Sequence, residues 1–493
     1  MKNLFYYLAV LLCVAMLLFS CNRIDTVGFD NESVATKDMT SAHSLKVTHQ
    51  EAQGVADMFL RSEAGSVIFQ TKSAKAKRVS SSSTVREDGQ ELMYIFNYDD
   101  GGFVIVGATR DYYPILAYSD KGSFVLREDM GPVDVWLDET KVCIKNSSLL
   151  DETTKAQMRN LWARYNGTYV DLTQQLLSSR RPQTRSAGED SCWAEIERLQ
   201  ALYGSQGWTF LPLSQVEEIF DDAGLSSYYD DICYSATQNH SALNETVIGF
   251  KNAPILNSNG PLLYTSHWHQ DAPFNQLCNG YPAGCSVIAA AQIMKYYEFP
   301  PSSHLNWAGS SFAWSQIPDT PSYQTTDRQP QLIRYTGTKF GITYINGDTG
   351  ATPQDIKEGL EDMGFTATLS DHNYLVSYSQ IYDYSKPVLM SGHSTLMGGN
   401  GHAWVCDGAR KYIFDQITFF TENQPYGAGS FSQGMYTIIN PGTVGGIVTY
   451  YFYMKFGKDY DESDDGWYTD NGLPSGSNYQ YRRNDIYITC PDN

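Results

Sequence analysis

Residues 281–297 read YPAGCSVIAAAQIMKYY. Val287, Ala291 and Met294 recur at the spacing of one face of an α-helix. A Pro-Pro pair follows the segment, and proline inside a helix removes a hydrogen bond and clashes with the preceding turn. The pattern predicts a helix that begins at Cys285.

Two interpretations of Cys285 follow from this position. Cysteine is often buried, so Cys285 could be a small apolar residue packed at the helix start. Alternatively it is a nucleophile, because the unpaired N–H groups and the positive dipole end of a helix favour a thiolate and lower the pKa of the thiol. Gly284 would let a substrate approach, and the Cys285 N–H would help to bind an oxyanion. The choice depends on partners elsewhere in the chain.

The overall composition is that of a globular protein with an acidic surface. The chain has 493 residues, 42% hydrophobic and 18% charged, which allows about two to four domains. The 35 basic and 55 acidic residues give a net charge of −20. Because nucleic-acid binding depends on cations that neutralise phosphates, this balance argues against a nucleic-acid partner.

Residues 1–21, MKNLFYYLAVLLCVAMLLFSC, have the features of a secretory signal peptide: a lysine, an apolar run and small residues at the end. The final Leu-Phe-Ser-Cys also resembles a bacterial lipobox, in which Cys21 would carry a lipid anchor; plain secretion is the alternative. We therefore expect an extracellular or cell-surface protein, with a bacterial outer-membrane lipoprotein as one form. Residues 22–45 are polar and are interpreted as a tether.

The nine cysteines are scattered and form no Cys-x-x-Cys pair, so neither a zinc ribbon nor a compact disulfide framework is expected. His267 and His269 form an isolated His-x-His, for which we favour a structural role over a metal site. No metal and no cofactor is expected.

The first part of the chain predicts a small α+β unit, which we call the front unit (residues 48–145). Its predicted elements are a helix over 48–61, strands at 92–98, 103–107, 114–119 and 123–125, and a helix over 133–145, with a serine-rich loop at 73–84. The turn DDGG at 99–102 is a strong hairpin signal.

A basic, proline-containing segment, RRPQTR at 180–185, follows a predicted helix over 151–177. Such a segment is either a proteolysis point or an ordinary linker. Residues 186–259 carry no motif and remain a connecting segment of unclear assignment.

His402 is the best candidate for a base that would activate Cys285. It lies in GGNGHAWVCDG, residues 398–408, where glycines precede it and an apolar, strand-like run follows. This context predicts a histidine at a strand entrance that faces a cleft, and a cysteine with a separate histidine is the usual pair for nucleophilic catalysis.

Three blocks now resemble the streptopain family of secreted cysteine peptidases: WHQDAPFN at 268–275, GCSVIAAAQIMKYY at 284–297 and GHAWVCDG at 401–408. The front unit is similar to the inhibitory propeptide of that family, through EAQGVADMF at 51–59, GFVIV at 102–106 and PILAYS at 114–119. The resemblance implies an α+β protein: a papain-like, two-lobed catalytic domain over 260–493, here called the C-terminal region, preceded by a tether and inhibitory prodomain over 22–185. The prodomain would cover the cleft until it is removed.

The resemblance also assigns roles. Cys285 would be the nucleophile, His402 its general base and acid, and Gln270 the donor of a side-chain amide to the oxyanion hole. The expected reaction is hydrolysis of a peptide bond in protein or peptide substrates, through a thioester acyl-enzyme.

One part of the C-terminal region departs from the family pattern, which has Asn-Trp-Gly-Trp-Gly after the histidine. Here residues 453–459 read YMKFGKD, so Lys455 stands in place of the asparagine and Phe456 in place of the first tryptophan. A cation beside His402 would disfavour imidazolium, and the lost amide would no longer fix the tautomer. We expect reduced or altered activity, with complete loss as the alternative.

Two other functions therefore stay open at this point: a catalytically impaired binding or adhesion module, and a papain-like acyl transferase.

The acidic segment DYDESDD at 459–465 has an aspartate where an EF-hand requires glycine, so it is interpreted as a solvated loop and not as a calcium site.

Overall fold

The computed structural model describes most of the chain from residue 45 onward. The described residues are 45–61, 77–166, 190–203, 209–213, 217, 229–230, 233–234, 247–252, 255–393, 401–413, 416–421, 436–439, 448–458, 461–470 and 483–491. The predicted signal peptide, lipidation site and tether occupy residues 1–45, of which only Leu45 is described. The basic segment at 180–185 also lies outside the described residues.

Eight helices and seventeen strands are named here from the described ranges. The α-helices are α1 (His49–Arg61), α2 (Pro132–Lys145), α3 (Glu152–Asn166), α4 (Asp190–Tyr203), α5 (Cys285–Tyr297), α6 (Gln329–Lys339), α7 (Pro353–Asp362) and α8 (Tyr374–Tyr382). The strands of the first half are β1 (Val79–Glu87), β2 (Gln90–Tyr98), β3 (Phe103–Gly107), β4 (Ile115–Ser119), β5 (Thr209–Pro212), β6 (Val247–Asn252) and β7 (Ile255–Asn259). The remaining strands are β8 (Asn306–Trp307), β9 (Ser310–Ser311), β10 (Thr366–Asp371), β11 (Val388–His393), β12 (Gly401–Ile413), β13 (Gln416–Thr421), β14 (Tyr436–Ile439), β15 (Val448–Lys455), β16 (Gly466–Thr469) and β17 (Asn484–Thr489).

One 11-stranded sheet runs through both the front unit and the C-terminal region, in the order β1-β2-β3-β4-β16-β15-β12-β11-β17-β10, with β7 added beside β12. The two parts join where β4 pairs antiparallel with β16, Tyr118 opposite Trp467 and Ala117 opposite Tyr468. A second sheet has the order β14-β13-β6-β5. The predicted α+β class is confirmed, because helices and antiparallel strands share both parts of the chain.

The front unit follows the sequence prediction in its helices and its central hairpin. α1, α2, β2, β3 and β4 lie where they were predicted, and β2 pairs antiparallel with β3 across the DDGG turn.

Two predictions in the front unit are wrong. The serine-rich segment is largely strand β1, whose serines lie on an exposed edge and pair with β2 through their backbone, so no apolar alternation marks it. Residues 123–125 are not a strand: the Asn97 side chain bonds both backbone groups of Phe124, accepting from its N–H at 2.7 Å and donating to its C=O at 3.0 Å. The side chain thus replaces a strand partner.

Helix α5 lies in the middle of the C-terminal region. Its residues from Ser286 to Met294 are all buried, so the helix is covered on every side and not only along one apolar face. Strand β12 packs against it: Ala403 and Val405 share a hydrophobic core with α5. Successive side chains of a strand point to opposite faces, and accordingly Trp404 and Cys406 belong to another core, which includes α2 of the front unit.

None of the helices in the described part of the chain is long and apolar enough to span a bilayer.

Candidate active site

Cys285 is the first residue of α5, as the sequence predicts. Gly284 before it has φ 90°, and a Cβ at that position would lie 2.3 Å from the Thr349 carbonyl oxygen. Only glycine allows this sharp, closely packed turn. The turn presents the Cys285 side chain at the helix start, where backbone N–H groups are unpaired.

The thiol of Cys285 accepts a hydrogen bond from the Ala403 N–H at 3.4 Å. Burial raises the pKa of the Cys285 thiol, while the N–H groups of Ala403, Ser286 and Cys285 itself act in the opposite direction. The lowered pKa of Cys285 that its helix position predicts is wrong for the unprocessed chain. A helix terminus is worth about 0.3–1 kcal/mol, less than the cost of burying a thiolate away from a cation.

His402 is the second residue of β12 and pairs with Gly392 of β11. By strand alternation its side chain shares the face of Trp404, which is the face covered by α2, whereas Ala403 faces Cys285. Burial lowers the pKa of His402; the charges of Asp129 and Asp134 raise it. The backbone next to His402 therefore lies against the Cys285 sulfur, while Asp129 and Asp134 of the front unit act electrostatically on the imidazole.

The start of α2 holds those acidic groups in place. Asp129 forms an ion pair with Lys458 at 3.0 Å, and Lys458 also donates to the Asp129 carbonyl. Asp134, in the first turn of α2, accepts from the Met130 N–H at 3.0 Å. Gly131 caps α2 with φ 61° and comes close to the Lys458 side chain. The segment before α2 is thus fastened to the C-terminal region through Lys458.

Helix α2 is in turn fixed to the C-terminal region by three kinds of contact. The Trp136 indole N–H donates to the Thr469 carbonyl at 3.1 Å. Glu139 forms an ion pair with Arg483 at 2.9 Å. A Cβ on Gly392, which pairs with His402, would lie only 2.8 Å from the Val135 side chain, so strand and helix are in close contact there.

Gln270 lies two residues after the buried Trp268, in a segment that passes the start of α5. Its backbone carbonyl accepts from the Ala283 N–H at 2.8 Å, two residues before Cys285. The residue is half-buried. This position is compatible with the predicted oxyanion role of its side-chain amide, which stays a prediction.

The two histidines of the His-x-His motif are engaged locally. The His269 Nδ1 lies 2.8 Å from the His267 carbonyl, and the ring packs edge-on against Phe274 at 5.4 Å. Within the described ranges, no cluster of three or more metal-ligating side chains occurs.

Lys455 does not stand beside His402, and the expectation of a cation there from this residue is wrong. Its ammonium lies 3.2 Å from Glu462 and 3.8 Å from Asp465. The register explains this: Lys455 pairs with Val405, on the opposite face of β12 from His402. The lysine that acts on His402, lowering its pKa, is Lys458.

The acidic segment is likewise not a solvated loop. Asp464 and Asp465 are only 6% and 5% exposed. Asp464 pairs with Arg127 of the front unit at 2.5 Å, and Asp465 accepts from the Phe456 N–H at 2.9 Å. Buried carboxylates require such partners.

Phe456 keeps an aromatic side chain near the histidine strand. It is buried, and its ring lies 6.3 Å from Trp404 and 5.3 Å from Tyr468. These contacts are on the face that His402 shares.

Sequence reasoning missed Asp129, Asp134 and Lys458. The segment EDMGPVD does carry a helix-start signal, with proline at the first position and an acidic residue in the first turn. Nothing in it indicates contact with a residue some 270 positions later, because that contact depends on how α2 docks on the sheet.

Comparison with known proteins found family matches in both parts of the chain. Residues 44–144 match the family described as Spi protease inhibitor, and residues 268–452 match the Peptidase C10 family. A solved structure of a fragment of prointerpain A from Prevotella intermedia is similar at 13% identity and a TM-score of 0.39, covering 83% of this chain and 98% of that one. No curated protein matches. The match over residues 268–452 confirms the resemblance to the streptopain or Peptidase C10 family, and with the Spi inhibitor region before it the chain has the organisation of a cysteine peptidase proenzyme.

Proposed function

We propose that this protein is a secreted or surface-anchored cysteine endopeptidase, made as a latent proenzyme, that cleaves peptide bonds with Cys285 and His402. The observation that carries the proposal is the 3.4 Å hydrogen bond from the Ala403 N–H to the Cys285 sulfur. It brings the peptide unit between His402 and Ala403 against the Cys285 sulfur, so a reorientation of the imidazole would bring the two groups together.

The reaction would begin once the His402 imidazole faces the Cys285 sulfur. His402 takes the proton of the Cys285 thiol, and the thiolate attacks the carbonyl carbon of the substrate. The Cys285 N–H and the Gln270 amide stabilise the oxyanion. His402 then protonates the leaving amine, giving a thioester, and a water activated by the same imidazole hydrolyses it to release the acid and the free thiol.

Latency follows from the surroundings of the two groups. While the front unit is docked, burial lowers the pKa of His402 against the charges of Asp129 and Asp134, and burial raises the pKa of the Cys285 thiol. A neutral thiol without a base is a poor nucleophile. Cleavage between the front unit and the C-terminal region, in the span from about 181 to 260, would release α2 and free the imidazole.

One motive for the binding or adhesion alternative was a cation from Lys455 beside His402. Since Lys455 is engaged by Glu462 and Asp465, that motive is removed. The other motives were Phe456 in place of the tryptophan and the departure of residues 107–111 from the family pattern, and the labelling test below decides between the two functions. Secretion, with either simple cleavage of the signal peptide or a lipid anchor on Cys21, remains part of the proposal and is supported by the N-terminal sequence.

The test uses the full chain before and after limited proteolysis. An irreversible, thiol-directed peptide inhibitor should label Cys285 only in the processed protein, and the processed protein should release new N-termini from a denatured protein substrate. Cys285→Ala should abolish both, whereas Cys278→Ala, a buried cysteine seven positions earlier, should retain both. Unlabelled Cys285 in processed protein at neutral pH would refute the proposal, and products carrying a transferred acyl group without new N-termini would indicate an acyl transferase.

A further inference from the structure

Lys455 replaces the asparagine of the family pattern, yet it is only 7% exposed and lies away from His402. A buried lysine is costly unless its charge is paired, so its partners indicate its purpose. They are Glu462 at 3.2 Å and Asp465 at 3.8 Å. Asp407 on β12 also raises the pKa of Lys455, against the effect of burial.

Glu462 connects this lysine to the segment that carries Gln270. Its Oε1, the oxygen that Lys455 contacts, also accepts the His267 backbone N–H at 2.5 Å. His267 has φ 59°, in the left-handed region that residues other than glycine seldom adopt. Such a conformation persists only when surrounding groups hold it.

Two further contacts of the segment from 267 to 270 are made by neutral groups. The Trp268 indole N–H donates to the Asp319 carbonyl at 2.9 Å, and the Gln270 carbonyl accepts from Ala283 at 2.8 Å. Of these contacts, the one at His267 alone depends on a charged side chain. This contact fixes the backbone at His267, three residues before Gln270.

The same region touches the nucleophile helix. Gly457, two residues after Lys455, has φ 61°, and a Cβ there would lie 3.0 Å from the Ile288 side chain and 3.6 Å from the Trp268 carbonyl. The turn after β15 therefore lies between α5 and the Gln270 segment.

We propose that Lys455 and Glu462 are positioning residues for the oxyanion hole: the lysine orients the Glu462 carboxylate, and the carboxylate fixes His267 so that Gln270 faces the substrate carbonyl. The replacement of asparagine by lysine thus moves the support from the imidazole to the oxyanion donor. The inference rests on the proposed function for its catalytic consequence, but not for its structural one.

The structural consequence is tested on the full, unprocessed chain by amide hydrogen exchange. Glu462→Ala removes the acceptor of the His267 N–H, so exchange at this amide should rise about tenfold or more while α5 keeps its protection. Glu462→Gln retains an acceptor oxygen and should stay closer to wild type. Glu361→Ala, which removes a surface partner of Lys357 on α7, is the matched control. Unchanged protection of His267 in Glu462→Ala would overturn the inference, whether or not the protein is a peptidase.

The catalytic consequence is tested after limited proteolysis. In Glu462→Ala and Lys455→Met, kcat should fall about tenfold with little change in KM, and the affinity for a peptide aldehyde, which forms a tetrahedral adduct, should fall in parallel. Alkylation of Cys285 by iodoacetamide needs no oxyanion hole and should proceed at the wild-type rate. The double variant should be no worse than Glu462→Ala, because both changes break one connection. Equal loss of alkylation and turnover, or wild-type kcat in both variants, would overturn the inference; absence of turnover in wild type would instead refute the proposed function.

Discussion

The two faces of strand β12 are built differently. The face that carries Ala403 and Val405 packs on α5, and every residue of that core lies between 263 and 490, within the C-terminal region. The face that carries Trp404 and Cys406 packs on a core that the front unit shares, with α2 as its largest contribution. The residues that surround α5 thus all belong to the C-terminal region, whereas those that surround His402 come from the C-terminal region and from the front unit. Removal of the front unit should therefore alter His402 far more than the position of Cys285.

The largest expected effect comes from the tryptophan that fills the shared core. Trp136 is 2% exposed, donates to the Thr469 carbonyl and packs edge-on against Tyr468 at 4.8 Å. Trp136→Ala should lower the free energy of unfolding of the full chain by about 3–5 kcal/mol, measured by urea denaturation. It should also raise the rate at which Cys285 is labelled in unprocessed protein, because α2 would hold Asp129 and Asp134 less firmly beside His402.

Phe59→Ala is the control for this prediction. Phe59 is a buried aromatic residue of the front unit that packs against Tyr118 and Tyr165, away from α2. Its loss should destabilise the chain by a similar amount without faster labelling of Cys285 under native conditions. If both variants label equally fast, latency depends on overall stability and not on the α2 face.

A buried charge network on the α2 side gives the next effect. His372 lies 3.0 Å from Asp470 and 2.9 Å from Asp485, and Arg483 links Asp470 to Glu139 of α2. Burial and Arg483 act to lower the pKa of His372, but the two aspartates raise it to about 9.

Because the pKa of His372 in the folded chain exceeds the unfolded value of about 6.5, its contribution to stability is fully present below that pH and is lost as the pH rises through about 9. His372→Gln should therefore destabilise the chain by on the order of 2 kcal/mol at pH 6 and by much less at pH 9.5, in urea denaturation at the two pH values. An equal loss of stability at the two pH values would mean that the charge of the His372 imidazolium does not stabilise the α2 side of the sheet.

The sequence predicted the parts of this site that depend on local pattern. The helix at Cys285 and the hairpin of the front unit follow from apolar spacing and turn residues, which act over a few positions. Strand alternation also places His402 with Trp404 on one face. It cannot say what covers that face, because the docking of α2 joins residues far apart in the chain.

Lys455 shows the same limit from another direction. Its position after His402 suggested proximity, but the pairing of Lys455 with Val405 turns it to the other face, where the folded-back acidic segment meets it. The partners of a buried charge are set by register and by tertiary contacts, neither of which the residue pattern contains.

A smaller effect should distinguish the reactivity of the Cys285 thiol in the unprocessed chain from its reactivity after limited proteolysis. In the unprocessed chain burial raises the pKa of the Cys285 thiol, so alkylation by iodoacetamide at pH 7 should be slow and should still increase above pH 9. After limited proteolysis the imidazole can pair with the sulfur, and the rate at pH 7 should rise about tenfold, which corresponds to about 1.4 kcal/mol. In His402→Ala this rise should be absent; an equal rise would mean that exposure of the thiol, and not the imidazole, activates it.

The smallest effect should come from the ion pair that fastens the segment before α2. Lys458 and Asp129 are 3.0 Å apart, but the Asp129 side chain is 79% exposed, and exposed pairs contribute about 0.2–1 kcal/mol. Lys458→Met should therefore increase labelling of Cys285 in the unprocessed chain by only about two- to fivefold, and 1 M salt should weaken wild-type latency by a similar factor through screening. Lys141→Met, which removes a surface pair with Asp138 within α2, should change neither. If Lys458→Met labels no faster than wild type, the apolar contacts of α2 alone hold the histidine face closed, and the two faces of β12 differ in packing and not in charge.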